Sequence, residues 1–137
     1  MSNSEILLYQ TEDGQTKIYV RLEEETVWLS QAQMSRLFQK ERSVITKHIK
    51  HIFKEGELQE GSNVQILHIS SSNRPVKFYN LDVIISVGYR VKSHQGTKFR
   101  QWATARLKEY IVKGFTMNDD LLKQAGVKSS MPYHPKS

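Results

Sequence analysis

A short stretch of the chain combines basic and hydroxyl side chains at the spacing of one helix face. Guanidinium and ammonium groups bind phosphate oxygens and guanine edges, and hydroxyl groups bind either bases or the nucleic-acid backbone. A helix carrying such groups fits a major groove about 12 Å wide. We therefore hypothesise that these side chains contact double-stranded DNA. Arg42 and Lys47 would contact guanine edges or phosphates, and Lys40 and Lys50 would contact phosphates. The candidate residues are Lys40, Arg42, Ser43, Thr46, Lys47 and Lys50.

Two further basic residues, Arg74 and Lys77, lie between and within two apolar segments, 64–69 and 76–79. These segments have strand character, so Arg74 and Lys77 would stand near the tip of a β-hairpin. In a winged helix this hairpin is the wing, and its basic residues contact phosphates or the minor groove. The alternative is a surface turn with two exposed basic residues, and the sequence leaves both interpretations open.

Positive charge is concentrated in two segments of the chain. The sequence has 20 Lys and Arg against 14 Asp and Glu, a formal net charge of +6. Residues 39–54 hold five basic side chains against Glu41 alone, and residues 74–113 hold nine against Asp82 and Glu109. Solvated surfaces usually mix the two signs, so this distribution favours a polyanionic partner over ordinary solvated helix surfaces.

Catalytic and metal-binding interpretations find little support in the sequence. Cysteine is absent, which excludes a thiol nucleophile and a Cys-ligated metal. His48 and His51 could hold a metal with Glu55, but their basic surroundings disfavour a bound cation. The sequence lacks a nucleophile elbow and a glycine-rich phosphate loop. We expect no enzymatic activity, no metal and no cofactor.

The length and composition indicate one folded domain. A chain of 137 residues, 38% of them apolar, can bury a core of its own without disulfides. Its N-terminus lacks the pattern of a secretion signal, and apolar runs stay well below the ~20 residues that span a bilayer. We expect a cytoplasmic protein, with a domain over residues 1–125 and a disordered tail over 126–137.

The segment LSQAQMSRLFQKERSVITKHIKHIF, residues 29–53, has the pattern of a helix-turn-helix pair. Met34, Phe38 and Ile45 occupy its apolar positions, and Ser35 occupies the small position where the helices approach. Two features depart from the pattern: residue 39 is Gln where glycine is commonest, and the last apolar anchor comes one residue late, at position 49. Serines at positions 30 and 43 are predicted to cap the two helices, the second of which ends near residue 56.

Strands are predicted before this pair. Residues 6–10 and 17–22 form a hairpin candidate around the turn 12–14, and residues 27–29 form a third short strand. Two helices are predicted after the wing hairpin. The first spans 81–89 and is capped by Asn80, and a loop over 91–97 precedes the second, which ends at Gly114. A short helix over 117–125 follows.

The last long helix carries an aromatic stripe that we assign to the core, since Phe99 and Trp102 share one face with Leu107 and Tyr110. The loop before it is basic and could bind phosphates, or it could be simply solvated. Its charged residues are Arg90, Lys92, His94, Lys98 and Arg100. The predicted fold is a winged-helix-like α+β domain with an N-terminal β-hairpin, a helix-turn-helix-like pair, a wing hairpin and two C-terminal helices.

The run from Ile6 to about Ala125 resembles the RhuM family of bacterial virulence-associated and phage-linked proteins. The resemblance is carried by LYQTEDGQTKIYVRLEEETVWLSQAQMSRLF and YNLDVIISVGYRVKSHQGTKFRQWATARLKEYIVKGF. The FRQWATARL segment at Phe99–Leu107 is also similar, more distantly, to the Bro-N DNA-binding domains of phage antirepressors. Members of the RhuM family are usually longer, so the resemblance is to their N-terminal module, and residues 126–137 do not resemble the family's continuation.

These observations predict a DNA-binding transcriptional or phage-type regulator. A homodimer is expected, since one recognition helix contacts only a few base pairs and two-fold pairing doubles the interface. The alternative is a protein-interaction module that acts like an antirepressor by binding another regulatory protein.

Overall fold

The computed structural model describes the backbone of residues 4–68 and 74–124, and the side chains of residues 4–68 and 74–111. Strands and helices together form a mixed α+β domain, which confirms the predicted fold class. The strands are β1 Glu5–Gln10, β2 Lys17–Glu23, β3 Thr26–Ser30, β4 Val64–His68 and β5 Pro75–Asn80. The helices are α1 Gln31–Phe38, α2 Arg42–Lys54, α3 Glu60–Asn63, α4 Leu81–Arg90 and α5 His94–Gln124.

The five strands form one antiparallel sheet in the order β1-β2-β3-β5-β4. The predicted hairpins are both present, as β1–β2 and β4–β5. Sequence reasoning did not foresee that β3 joins them, pairing with β2 on one side and with β5 on the other. Ser30, the last residue of β3, pairs with Phe78 and is followed at once by α1. The helix pair is therefore attached directly to the centre of the sheet.

One face of the sheet is covered by helices and holds the core. The period-two alternation in β2 buries Ile18, Val20 and Leu22 and leaves their neighbours at or nearer the surface. Helices α1 and α4 pack on β3 and β5, and α2 and α5 pack on α4. Burial of each large aliphatic side chain contributes roughly 1.5–3 kcal/mol, so this face supplies most of the stability.

An aromatic cluster attaches α5 to β1. The rings of Tyr9 and Phe99 meet edge to face with centroids 5.1 Å apart, and Trp102 lies 5.1 Å from Tyr9. Phe99 is fully buried, and Trp102, Leu107 and Tyr110 pack against the core. This confirms the assignment of the stripe to the core. Burial, with a smaller contribution from Glu12, raises the pKa of Tyr9.

The other face of the sheet carries a buried cation. The Arg21 guanidinium lies 5.6 Å from the ring centroid of Trp28 and 5.0 Å from that of Phe78. It forms an ion pair with Glu23 and donates to the amide oxygen of Gln65. Its side chain is only 11% exposed. The contact with Gln65 reaches from β2 to β4, so one side chain connects the two hairpins across two intervening strands.

The C-terminal helices differ in part from the prediction. Asn80 caps α4 as expected, since its side chain accepts from the Val83 N–H at 3.3 Å. The predicted loop 91–97 is shorter, because the hydroxyl of Ser93 accepts from the Gln95 N–H at 3.1 Å and α5 begins at residue 94. The helix also continues through Gly114, so the predicted end there and the separate helix 117–125 are wrong. One glycine costs a helix only about 1 kcal/mol.

Two predictions fall outside the described residues, the tip of the wing hairpin at 69–73 and the disordered tail at 126–137. The domain boundary near residue 125 stays a prediction. Within the described part of the chain, the helices are too polar or too short to cross a bilayer.

Candidate nucleic-acid interface

Helix α1 is fixed at both ends by local interactions. The Ser30 hydroxyl accepts from the Gln33 N–H at 3.2 Å, and the Gln33 side chain accepts from the Ser30 N–H at 2.9 Å. This capping box confirms the predicted N-cap. At the other end Gln39 adopts φ 54°, and the Lys40 N–H donates to the Ser35 carbonyl at 3.1 Å. The left-handed conformation of residue 39 explains why glycine is common at this position of the pattern.

Helix α2 begins earlier than the sequence suggested. Val44 and Ile45 donate their N–H groups to the carbonyl of Glu41, at 3.0 and 3.3 Å. Glu41 is therefore the N-cap residue, without a side-chain cap, and the prediction that Ser43 caps this helix is wrong. The Ser43 side chain is instead exposed on the second helical residue. The helix ends at Lys54, close to the predicted end near Gly56.

The exposed face of α2 is basic. Ile45, Ile49 and Ile52 are buried, so the late anchor at position 49 serves the core. Lys47 and Lys50 are exposed on the opposite side, as predicted. Sequence reasoning missed one member of this face, Lys54, which lies four residues after Lys50 and is also exposed; the same helical period could have found it. Among the described residues, these cations make no ion pair: Lys40, Arg42, Lys47, Lys50 and Lys54.

A groove between α2 and the β4–β5 hairpin brings three of the predicted residues together. Arg42, Arg74 and Lys77 line this groove, which has a volume of about 440 Å³. Lys77 and Tyr79 are two residues apart on β5 and so project from the same face of the sheet. One cation of the predicted helix and two of the predicted wing therefore line the same groove, although they are far apart in the sequence.

Thr46 has an internal role in this groove. Its hydroxyl oxygen lies 2.6 Å from the side-chain oxygen of Gln31 and 2.9 Å from the Arg42 carbonyl. The Gln31 amide in turn donates to the Tyr79 hydroxyl at 3.1 Å. This chain of contacts joins α2, α1 and β5, and it uses the one proton that Thr46 can donate. The predicted DNA contact of Thr46 stays a prediction, and the structure gives it a role in orienting α2.

The second basic segment is divided between internal ion pairs and a cleft. Arg90 binds Glu55 at 2.8 Å and Glu57 at 2.7 Å, and Lys98 pairs with Glu12. These two cations are therefore committed to intramolecular contacts. The remaining members of the predicted phosphate loop, Lys92, His94 and Arg100, line a cleft between α4 and α5.

The carboxylates beside Arg90 are held in the ionised form. Hydrogen bonds and charge from Arg90 lower the pKa of Glu55. The Ser86 hydroxyl is the largest cause of the lowered pKa of Glu57, followed by Arg90. This network connects α4 to the segment that follows α2. It also pairs Glu55, the candidate metal ligand beside His48 and His51, with Arg90.

His48 is half-buried at the edge of the basic surface. Burial, followed by the charges of Arg90, His51 and Lys47, lowers its pKa. Its side chain is therefore neutral near pH 7. Within the residues that the structure describes, no three side chains of the metal-binding types stand close enough to hold an ion.

In a comparison with known protein families, residues 58–135 match the Virulence protein RhuM family. The match covers more than half of the chain. It includes the β4–β5 hairpin and helices α4 and α5, and it begins after α2. It also continues to residue 135, so the expectation that residues 126–137 lie outside the resemblance is wrong. No curated protein and no solved structure matches the chain significantly.

Proposed function

The chain belongs to the RhuM family of virulence proteins, and we propose that it binds double-stranded DNA through α2 and the β4–β5 hairpin. The observation that carries the proposal is the groove in which Arg42 of α2 meets Arg74 and Lys77 of the hairpin, next to a helix with further exposed lysines. Five cations at residues 40–54 make no ion pair among the described residues, and Arg42 shares a groove with two cations of the hairpin. Cations without an ion pair among the described residues are available to bind phosphates.

The geometry of α2 suits a winged-helix-like mode of binding. A helix about 10–12 Å wide with its side chains fits the major groove. The buried isoleucines fix which side of α2 faces the core, so Lys47, Lys50 and Lys54 face outward together. Arg74 and Lys77 would then contact the phosphates flanking the groove, as wing residues do.

We propose a regulator of transcription that acts by binding, without catalysis, and that works as a homodimer in the cytoplasm, where its DNA is found. Two copies would read two half-sites, which gives the interface area that specific binding needs. Light scattering of the protein with and without a palindromic duplex tests the dimer, which would be contradicted by a single protomer bound per site.

The test of DNA binding is a fluorescence-anisotropy titration at two salt concentrations. The probes are a random duplex and duplexes from the region around the protein's own gene. The double variant Lys47→Glu/Lys50→Glu should bind at least tenfold more weakly than the parent, and the loss should be greater at low salt. The melting temperature should be unchanged, since both side chains are exposed and form no ion pair within the part of the chain that the structure describes.

Lys108→Glu is the matched control for each single charge reversal, because Lys108 is exposed on α5, which packs mainly on α4 and α1. It should bind DNA nearly as the parent does. Equal losses in Lys47→Glu and Lys108→Glu would mean that only net charge matters, and would contradict a recognition surface at α2. Failure of the parent to bind either duplex at low salt would reject the proposal.

The second candidate function is protein binding, as in an antirepressor that engages another regulator. It is favoured by three exposed apolar side chains on the uncovered face of the sheet, Ile6, Leu8 and Tyr19, which are 57%, 47% and 66% exposed. A saturable complex with a host regulator that survives Lys47→Glu/Lys50→Glu but not Tyr19→Ser would support this function instead.

A further inference from the structure

A second basic surface lies away from α2, in a cleft between α4, α5 and the turn that joins them. The cleft has a volume of about 440 Å³, within the range of small-molecule sites. Its rim carries Lys92, His94 and Arg100, and the hydroxyls of Ser93 and Thr97 lie between them. The DNA-binding proposal does not use any of these groups.

The three cations of this cleft are unpaired among the described residues, unlike their neighbours in sequence. Arg90 and Lys98 bind carboxylates on other elements. Lys92, His94 and Arg100 are exposed and have no carboxylate partner within the described part of the chain. The fold therefore neutralises Arg90 and Lys98 with carboxylates and leaves Lys92, His94 and Arg100 at the cleft without one among the described residues.

An exposed aromatic ring stands beside these cations. Tyr89 lines the cleft and is 85% exposed, the highest value among the exposed large apolar side chains of the described residues. Ile85, one turn earlier on α4, lines the same wall. An aromatic face next to cations is the combination with which proteins hold a base by stacking and a phosphate by charge.

We propose that this cleft binds a nucleoside phosphate, with the base stacked on Tyr89 and the phosphate held by Lys92 and Arg100. The ligand chemistry is the same whether the nucleotide is free or is an unpaired unit of a nucleic-acid strand. The charge around Tyr89 sets the orientation. Tyr89 also lines a smaller groove together with Glu57 and Asp82, whose carboxylates repel a phosphate.

The floor of the cleft is rigid. A Cβ atom added at Gly88 would lie 3.1 Å from the Phe38 ring and 3.2 Å from the Cα of Gly96, so the two helices are already in close contact. The turn between them is closed by a hydrogen bond of 3.0 Å from the Ser93 N–H to the Gly88 carbonyl. The backbone positions from which Tyr89, Lys92 and Arg100 project are therefore set before a ligand arrives, which lowers part of the entropic cost of binding.

The experiment is isothermal titration calorimetry of the full chain with three probes: ATP, inorganic phosphate and a ten-nucleotide single strand of deoxythymidine. ATP or the single strand should bind, and inorganic phosphate should bind at least fivefold more weakly, because it lacks a base. Tyr89→Ala should weaken binding about fivefold or more, and Tyr89→Phe should restore it, since stacking needs only the ring. Arg100→Glu should abolish binding.

Two controls separate this site from the DNA surface. Lys108→Glu makes the same charge change as Arg100→Glu elsewhere on α5 and should leave nucleotide binding intact, as should Lys47→Glu on α2. Binding of the single strand without ATP identifies a strand as the source of the nucleotide, and binding of ATP alone identifies a free nucleotide. Either result supports the proposal.

The proposal is overturned if none of the three probes binds, or if inorganic phosphate binds as tightly as ATP. It is also overturned if Lys47→Glu weakens nucleotide binding as much as Arg100→Glu, since the nucleotide would then occupy the DNA surface. Tyr89 and Arg100 are exposed, so their variants should keep the parent's melting temperature.

Discussion

The molecule contains two helix pairs with nearly the same turn. In α1–α2 the turn residue Gln39 adopts φ 54°, and in α4–α5 Lys92 adopts the same value. Each turn is closed by a hydrogen bond across five residues, from Lys40 to Ser35 and from Ser93 to Gly88. A small residue supplies the carbonyl in both pairs. The same turn conformation therefore occurs twice in one domain.

The two pairs differ in what their second helices expose. Helix α2 buries a narrow aliphatic stripe and exposes lysines that make no ion pair with any described residue. Helix α5 buries Phe99 and Ala103 in the core, and its Arg106 pairs with Glu109 at 2.8 Å on the same helix. The turn alone thus does not decide which helix pair we propose to contact DNA. The side chains on the outer face of the second helix make that distinction.

The largest effect on stability should come from a substitution that forces helices α4 and α5 apart. Gly88→Val places methyl groups against Phe38 and the backbone of Gly96, which already leave no room for a Cβ at ordinary distance. We expect a loss of about 2 kcal/mol in the free energy of unfolding. Gly61→Val is the control, because no atom lies within 4 Å of a Cβ there. Urea denaturation of both variants measures the difference, and equal losses would contradict close packing at Gly88.

A second prediction concerns the cations of the first pair. Lys50→Ala and Lys54→Ala should each lower the slope of log K against log salt for duplex DNA by about one unit, since each removes one phosphate contact. Arg106→Ala, in the second pair, should leave the slope unchanged because Arg106 is paired with Glu109. An unchanged slope in Lys54→Ala would remove that residue from the interface.

A smaller effect on stability should follow from substitutions in the turns between α1 and α2 and between α4 and α5. Gln39→Gly and Lys92→Gly each relieve a left-handed conformation that costs a residue with a side chain roughly 1–2 kcal/mol, and part of the gain is lost to the greater freedom of glycine when unfolded. We expect each variant to be stabilised by about 0.5–1 kcal/mol in thermal or urea unfolding. Only Lys92→Gly should also weaken nucleotide binding. A destabilised Gln39→Gly would show that its side chain has a role that the turn does not explain.

The smallest effect should come from the ion pairs between the two helix pairs. Arg90 lowers the pKa values of Glu55 and Glu57 from their ordinary value of 4.5, so the folded state favours the ionised carboxylates. This stabilisation is complete above about pH 4.5 and is lost as the pH falls through the lowered pKa values. Arg90→Gln should lower the melting temperature by a few degrees near pH 7 and by less near pH 3. A pH-independent difference would contradict an electrostatic cause.

Much of the fold could be predicted, because the local hydrophobic and capping patterns of the sequence agree with the burial and the helix starts in the structure. The alternation of Ile18, Val20 and Leu22 predicted a strand with one buried face, and Ser30 and Asn80 predicted two helix starts. The pairing of β3 with β5 was not predictable, since it joins segments separated by about 50 residues. The start of α2 was also missed, because a backbone carbonyl at Glu41 begins that helix without any capping side chain.

The part of the candidate site that lies on α2 could be predicted from the sequence. The helical period placed Lys47 and Lys50 outward, and that period depends only on local sequence. The groove of Arg42 and Lys77 depends on the non-local sheet order, and so sequence reasoning could name its members without bringing them together. The number of charges in the sequence could not show that, among the described residues, Arg90 forms ion pairs and Lys92 does not, because only the fold determines which cation lies next to a carboxylate.

The pairing of β3 with β5 also has a consequence for synthesis of the chain. Strand β3 gains its second neighbour only after residue 80 has emerged from the ribosome, by which time α1 and α2 have already been made. Until then β3 is an open edge beside a complete hairpin, and open edges pair readily with other chains. Non-local pairing of this kind also slows folding. The interval before β5 inserts is therefore when the nascent protein is most exposed to aggregation, and when a chaperone would have most to protect.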